Sequence, residues 1–400
     1  MTFTPSRRTV LKAGVATAGV AAVGGLVPSS RVFRTPSAGA APPGRLVFVF
    51  LRGGQDHLSA VVPYTESAYY AARPGIAIPA AEVLPLDRGF GLHPVMTRLH
   101  GLYGQGRLAV VVGAGNLAGN RSHFTAQDLC EYGATSRPAD QKGWLGRYLS
   151  TVPAAGDALC RGIALTGTVP VSLRGYSALG VPSISGFGLF PTVTPIAPLI
   201  RSQYGGGSAV EKTGVQALDA AARISSLPGS TATDPNTRAF ADCATMLGAN
   251  LGVEVATIDI TGWDTHHDMG TSSSGWMRDL LGDLDRYLGT FQADLDNRGL
   301  SNVTTVVMTE FGRRVEENGS GGTDHGYGFA MFVMGGRVAG GVHGDWAGLD
   351  GSVVGNRGDV VPRVDFRDVL GDCAKGVLGL SYPSALFPGH TYTRVGTISA

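Results

Sequence analysis

RLVFVFLRGG, residues 45–54, is an apolar run with no polar interruption between Arg45 and a closing Arg-Gly-Gly. A strand with one wet face alternates apolar and polar residues, whereas a strand covered on both faces reads as a continuous apolar run. The stretch therefore predicts a strand inside a parallel sheet with helices packed above and below. LAVVVGAG (108–115), VEVATIDITG (253–262), VTTVVMTEFG (303–312) and FAMFVMGG (329–336) repeat the pattern. Segments of helical period lie between them. SGWMRDLLGDLDRYLGTFQADLDNRG (274–299) has apolar residues at three- and four-residue spacing and a natural stop at Asn297-Arg298-Gly299. Strands alternating with helices predict a mostly parallel α/β sheet, doubly covered, within one domain spanning residues 45–396. The Gly-, Ser-, Pro- and Thr-rich text at about 166–236 reads as an insertion or cap on that domain.

The amino terminus reads differently. Arg7-Arg8, an Ala/Gly/Val stretch to Val27 and Ala38-Gly39-Ala40 follow the order of an export signal over residues 1–40, with the twin arginines of the Tat route. The apolar stretch is short and weak for a spanning helix. The expected product is an extracellular, periplasmic or cell-wall protein with no stable membrane span after cleavage. Thirty-two basic against 31 acidic residues, with no long run of either sign, give a nucleic-acid partner no electrostatic support. The cysteines at 130, 160, 243 and 373 form no CxxC pair, so a thiolate zinc site is not expected; two disulfides remain open. VVVGAGNLAG places G-x-G-x-x-A after a strand, but Gly119-Asn120 interrupts the helix a dinucleotide site requires, and no acid-ended strand follows.

Polar clusters follow the strands: RGGQDH (52–57), NRSHF (120–124), GWDTHHD (262–268) and TEFGR (309–313). Open parallel sheets bind ligands outside the carboxyl ends of their strands. Asp56, Ser122, Asp264, His266, Glu310, Asp324 and His325 are thus expected at one rim. In GWDTHHD, alternation past a strand end points Asp264 and His266 one way and His267 the other. The pair suits a divalent metal, although Asp264 as a helix cap is the plainer alternative. Glu310 is either a metal or base residue or the partner of Arg313. In GSGGTDHGYG (319–328), glycines let the backbone close tightly around Asp324-His325, which is either a site element or a surface turn. Ser122 stands where a helix begins. There it is an N-cap, a nucleophile beside anion-binding N–H groups, or both.

The set RGGQDHLSAVVPY, RSHFTAQD, GWLGRYL, GWDTHHD, TEFGRRVEENGSGGTDHG and RVDFRDVLG resembles the exported bacterial family called domain of unknown function 1501. That family is similar to the alkaline phosphatase and sulfatase superfamily. The resemblance implies a three-layer α/β/α sandwich, alkaline-phosphatase-like, with one or two divalent metals (zinc, manganese, calcium or magnesium) and a nucleophile at a helix N-terminus. Carried onto this sequence, it assigns the metal to Asp56, Asp264, His266, Glu310, Asp324 and His325, the attack to Ser122, and proton transfer to His123. Phe311 stands where the superfamily has a histidine, which His267 or His123 would have to replace. The implied activity is hydrolysis of phosphate or sulfate esters, on a small-molecule or polymer substrate. The rival expectation is a non-catalytic binding or assembly protein on a degenerate fold of this kind.

Overall fold

In the strand Arg45–Leu51 (β1) successive side chains enter opposite cores. Val47, Val49 and Leu51 pack with Phe240, Met277, Leu281 and Leu288, while Leu46, Phe48 and Phe50 pack with Trp144, Tyr148, Phe366 and Leu370. Each such buried side chain contributes about 1.5–3 kcal/mol, and the alternation fixes the strand between two helical layers. The protein is a three-layer α/β/α sandwich, seen here in a computed structural model that describes residues 44–154, 158–188, 196–351, 354–355 and 358–399. The export signal read at 1–40 lies outside the described residues.

The central sheet contains β1, Leu108–Gly115 (β2), Gly162–Ala164 (β3), Leu179–Gly180 (β4), Val255–Ile260 (β5), Val303–Thr309 (β6), Phe329–Gly335 (β7), Gly341–Gly344 (β8) and Val364–Asp365 (β9). Its order is β8-β2-β7-β6-β1-β5-β3-β4, with β9 paired to β2. Neighbouring strands run parallel except at β7, which is antiparallel to both β2 and β6. The exception has a consequence for function. A strand reversed in this way starts at the rim where the others end, so the loop 310–328 never leaves that rim.

The helices His123–Tyr132 (α1), Trp144–Thr151 (α2), Pro235–Gly248 (α3), Trp276–Asn297 (α4) and Phe366–Gly376 (α5) cover the sheet. α4 occupies the stretch whose period predicted it, and its apolar stripe Met277, Leu281, Leu284, Leu288, Leu295 is buried. Within the Gly/Ser/Pro-rich segment, Leu179–Gly180 extends the sheet edge, and Ser208 caps the helix Ala209–Ser225 through a reciprocal bond pair with Glu211. The four cysteines are buried free thiols, so neither open disulfide forms. Among the described residues no helix is long and apolar enough to cross a membrane.

Candidate metal centre

Each strand end contributes one piece. β1 ends in Gly53-Gly54, β2 leads to the start of α1, β5 leads to Asp264 and His266, and β6 leads to Glu310 and Arg313. The loop after β6 folds back on itself. Arg313 bridges His325 in antiparallel fashion, Arg314 N–H donates to the Asp324 carbonyl at 2.9 Å, and Gly326 N–H donates to the Gly312 carbonyl at 2.8 Å. The glycines on either side of Thr323-Asp324-His325 are needed because this hairpin lies between two other backbones. A Cβ on Gly322 would stand 2.2 Å from the His266 carbonyl carbon, and one on Gly326 would stand 2.5 Å from that of Arg313.

Asp264 Oδ1 is the focus of the site. Around it stand His266 Nε2 at 3.0 Å, His325 Nε2 at 3.1 Å and His123 Nε2 at 3.4 Å. His123, Asp264 and His325 each offer a ligand atom within 4.8 Å of the others. His266 Nε2 flanks them, 3.0 Å from His325 Nε2.

The far side of each ring fixes its orientation. His325 Nδ1 lies 2.9 Å from the Arg121 carbonyl oxygen, which only accepts, so Nδ1 carries the proton and the neutral ring presents a lone pair at Nε2. His123 Nδ1 lies 2.7 Å from Glu310 Oε1, which leaves its Nε2 bare by the same reasoning. That nitrogen is buried and has no hydrogen-bond partner. Burial holds the His325 pKa below the usual imidazole value, against the raising effect of Asp264, and keeps the ring neutral. Lone pairs aimed at a carboxylate oxygen from this distance repel unless a cation stands among them. The donor set, imidazole nitrogens with one carboxylate oxygen, suits zinc or manganese. The residues fit a metal ion.

Asp264 is held ionised. Burial would raise its pKa, but the hydrogen bond from Arg313, together with its charge, outweighs it and sets the value at about 2. Glu310 is buried, and it too stays below the ordinary range because bonds from Gln127 and His123 exceed the effect of burial.

The structure redistributes the residues expected to bind metal. Asp264, His266 and His325 are brought together, and His123 joins them. Glu310 does not face the centre. Its oxygens accept from Gly53 N, His123 Nδ1, Gln127 Nε2 and Thr309 Oγ1, so it orients His123 as a supporting carboxylate does. Nor does Glu310 pair with Arg313, whose partner is Asp264 at 2.6 Å. Asp324 Oδ1 stands 3.5 Å from His266 Nδ1; it backs His266, not its sequence neighbour. Asp56 stays out of the cluster. It is fully buried, caps the short helix His57–Ala60 through Leu58 N and Ser59 N, and pairs with the buried Arg73 at 2.6 Å.

His267 points away, as alternation predicts, and packs against Trp276 with ring centroids 4.9 Å apart. Ser122 is the residue before α1, exposed, and its side chain makes no capping bond. Sequence reasoning gave Arg313 only as a partner for Glu310, and it missed the Arg121 carbonyl and Gln127. Of these two, Gln127 had a visible signal, the i, i+4 spacing from His123 that puts both on one helix face.

Residues 206–366 match the family described as "Protein of unknown function (DUF1501)", the family the motifs resemble. No curated protein sequence matches the chain. Solved structures similar to it include murine ectonucleotide pyrophosphatase/phosphodiesterase 5, with 12% identity over 68% of this chain and 58% of that one, TM-score 0.28. The PsFucS1 sulfatase from Pseudoalteromonas sp. has 12% identity over 90% and 74% of the two chains, TM-score 0.39. The lipoteichoic acid synthase LtaP from Listeria monocytogenes has 11% identity over 77% and 70%, TM-score 0.35. The chain thus spans 58% of the length of the murine protein. At these identities and scores the likenesses define no substrate and no residue role.

Proposed function

We propose that this chain is an exported metal-dependent hydrolase of phosphate or sulfate esters. One observation carries the reading: the bare Nε2 atoms of His123 and His325 meet at Asp264 Oδ1, each ring fixed from behind by Glu310 or the Arg121 carbonyl. His123, Asp264 and His325 would hold the ion, with His266 at its flank. When bound, the ion supplies Lewis-acid polarisation of the ester oxygen. Ser122, exposed between Arg121 and His123 with no capping bond on its side chain, is the group offered for attack. The first-turn N–H groups of α1 beside it favour an anionic ester. This geometry supports His123 as a ligand in preference to a carrier of protons.

The test is elemental analysis of protein purified without chelator, followed by turnover of aryl phosphate and aryl sulfate esters. Metal at the centre with turnover that chelation abolishes is expected. His325→Ala should lose most of the metal with little change in thermal stability. Metal without turnover of any ester would favour a binding protein on the same fold. Export is tested separately: changing Arg7 and Arg8 to Lys should leave the precursor in the cytoplasm, and normal secretion of that variant would refute the Tat assignment.

A further inference from the structure

We infer that Arg313 is the second cation of this centre, a positioning residue that limits the site to one metal ion; the inference rests on the metal reading above. The Arg313 side chain is entirely buried, and its three nitrogens are all engaged. Nε donates to the Gly54 carbonyl at 2.6 Å, Nη1 to the Thr323 carbonyl at 3.0 Å, and Nη2 to the Trp263 carbonyl at 3.2 Å and, more closely, to that of Gly53. Nη2 also donates to Asp264 Oδ1 at 2.6 Å.

Four carbonyls and a carboxylate oxygen form a cage of acceptors only, the ligand type that hard cations take. In this chain a guanidinium fills it. The planar fork cannot leave, because each freed buried carbonyl would cost about 1–3 kcal/mol. Nη1 also lies 3.4 Å from His266 Nε2, which places the fixed charge directly behind the imidazole cluster. The other carboxylates expected to bind metal are engaged elsewhere, Asp56 with Arg73, Glu310 with His123 and Asp324 on the far nitrogen of His266. One ion therefore enters, on the His123–Asp264–His325 side, and Arg313 holds Asp264 toward it.

The test counts ions. The full chain is loaded with Mn2+, separated from free metal and analysed. One ion per chain is expected. Two would overturn the inference while leaving the metal reading intact, and none would remove the metal reading on which it rests. Arg313→Ala, checked for native circular dichroism, is then loaded with Mn2+ and Ca2+. A rise from one ion to two is expected, reversed by low millimolar guanidinium competing for the vacated cage. A folded Ala variant that still takes one ion, or a second ion that guanidinium does not displace, overturns the inference. If the Ala variant does not fold, Arg313→Lys decides: its ammonium should keep the count at one, and a count of two overturns it.

Discussion

Glu310 is placed to support the proposed metal site without facing it. Its Oε1 accepts a hydrogen bond from His123 Nδ1–H at 2.7 Å, and Gly53 N–H and Gln127 hold that oxygen in place. The charge on Glu310 makes the imidazole a better donor, and the three bonds make its direction unique. Glu310→Gln keeps the shape and removes the charge. Metal affinity should fall about 10–100-fold while the melting temperature changes little, as measured by competition with a chromophoric chelator. Unchanged affinity would show that His123 does not ligate. At this scale the sequence is legible in part. Asp264, His266 and His325 stand in motifs whose residue types announce a metal. Asp56 stands in the same kind of motif, QDHLS, yet it caps a helix, because an aspartate leaving a strand serves a first helical turn as readily as a ligand. What commits it is Arg73, and that pairing is tertiary.

The element that makes the centre is the loop from Glu310 to Gly328. Its return to the rim depends on β7 running antiparallel, a direction that the apolar run FAMFVMGG does not encode, since both strand directions bury it equally. The glycines, in contrast, are legible as a demand for close backbone approach, and the structure shows the surfaces they approach. Gly326→Ala puts a Cβ 2.5 Å from the backbone of Arg313, where no side-chain rotation relieves the contact. The pairing of Arg313 with His325 would have to open, displacing both from Asp264. Destabilisation of roughly 2–4 kcal/mol is expected, together with loss of bound metal, read by urea unfolding and elemental analysis. Retained stability with retained metal would mean the hairpin is looser than its contacts indicate. Ala at Gly207, an exposed position with nothing within 4 Å of an added Cβ, is the matched control and should be nearly neutral.

Over the whole molecule, the fold was readable because five strands are covered on both faces and say so in unbroken apolar text, and because α4 carries its period over 22 residues. The short strands β3, β4, β8 and β9, two to four residues each, are too brief for any periodicity. The interior that these layers create also sets how stability follows pH. His57 and His93 are almost wholly buried. Both ring nitrogens of His57, and Nε2 of His93, lack partners. Burial lowers each pKa to about 4; Asp56 partly opposes this at His57, and Arg73 adds to it. A histidine whose folded pKa lies below its unfolded value of 6.5 takes up its proton first in the unfolded chain. Stability is therefore full above that value and falls as pH drops from 6.5 to about 4, by on the order of 3 kcal/mol for each residue. Asp264 acts in a lower window: its stabilisation is present above 3.8 and is lost as pH falls toward 2. Urea midpoints should accordingly be level between pH 7 and pH 8 and decline steadily below 6.5. His57→Gln removes one of the two protons, so its decline over that interval should be markedly shallower than in the parent, whatever its stability at pH 7. A parallel decline in parent and variant would mean that His57 is protonated inside the folded protein, with Asp56 as its counter-charge.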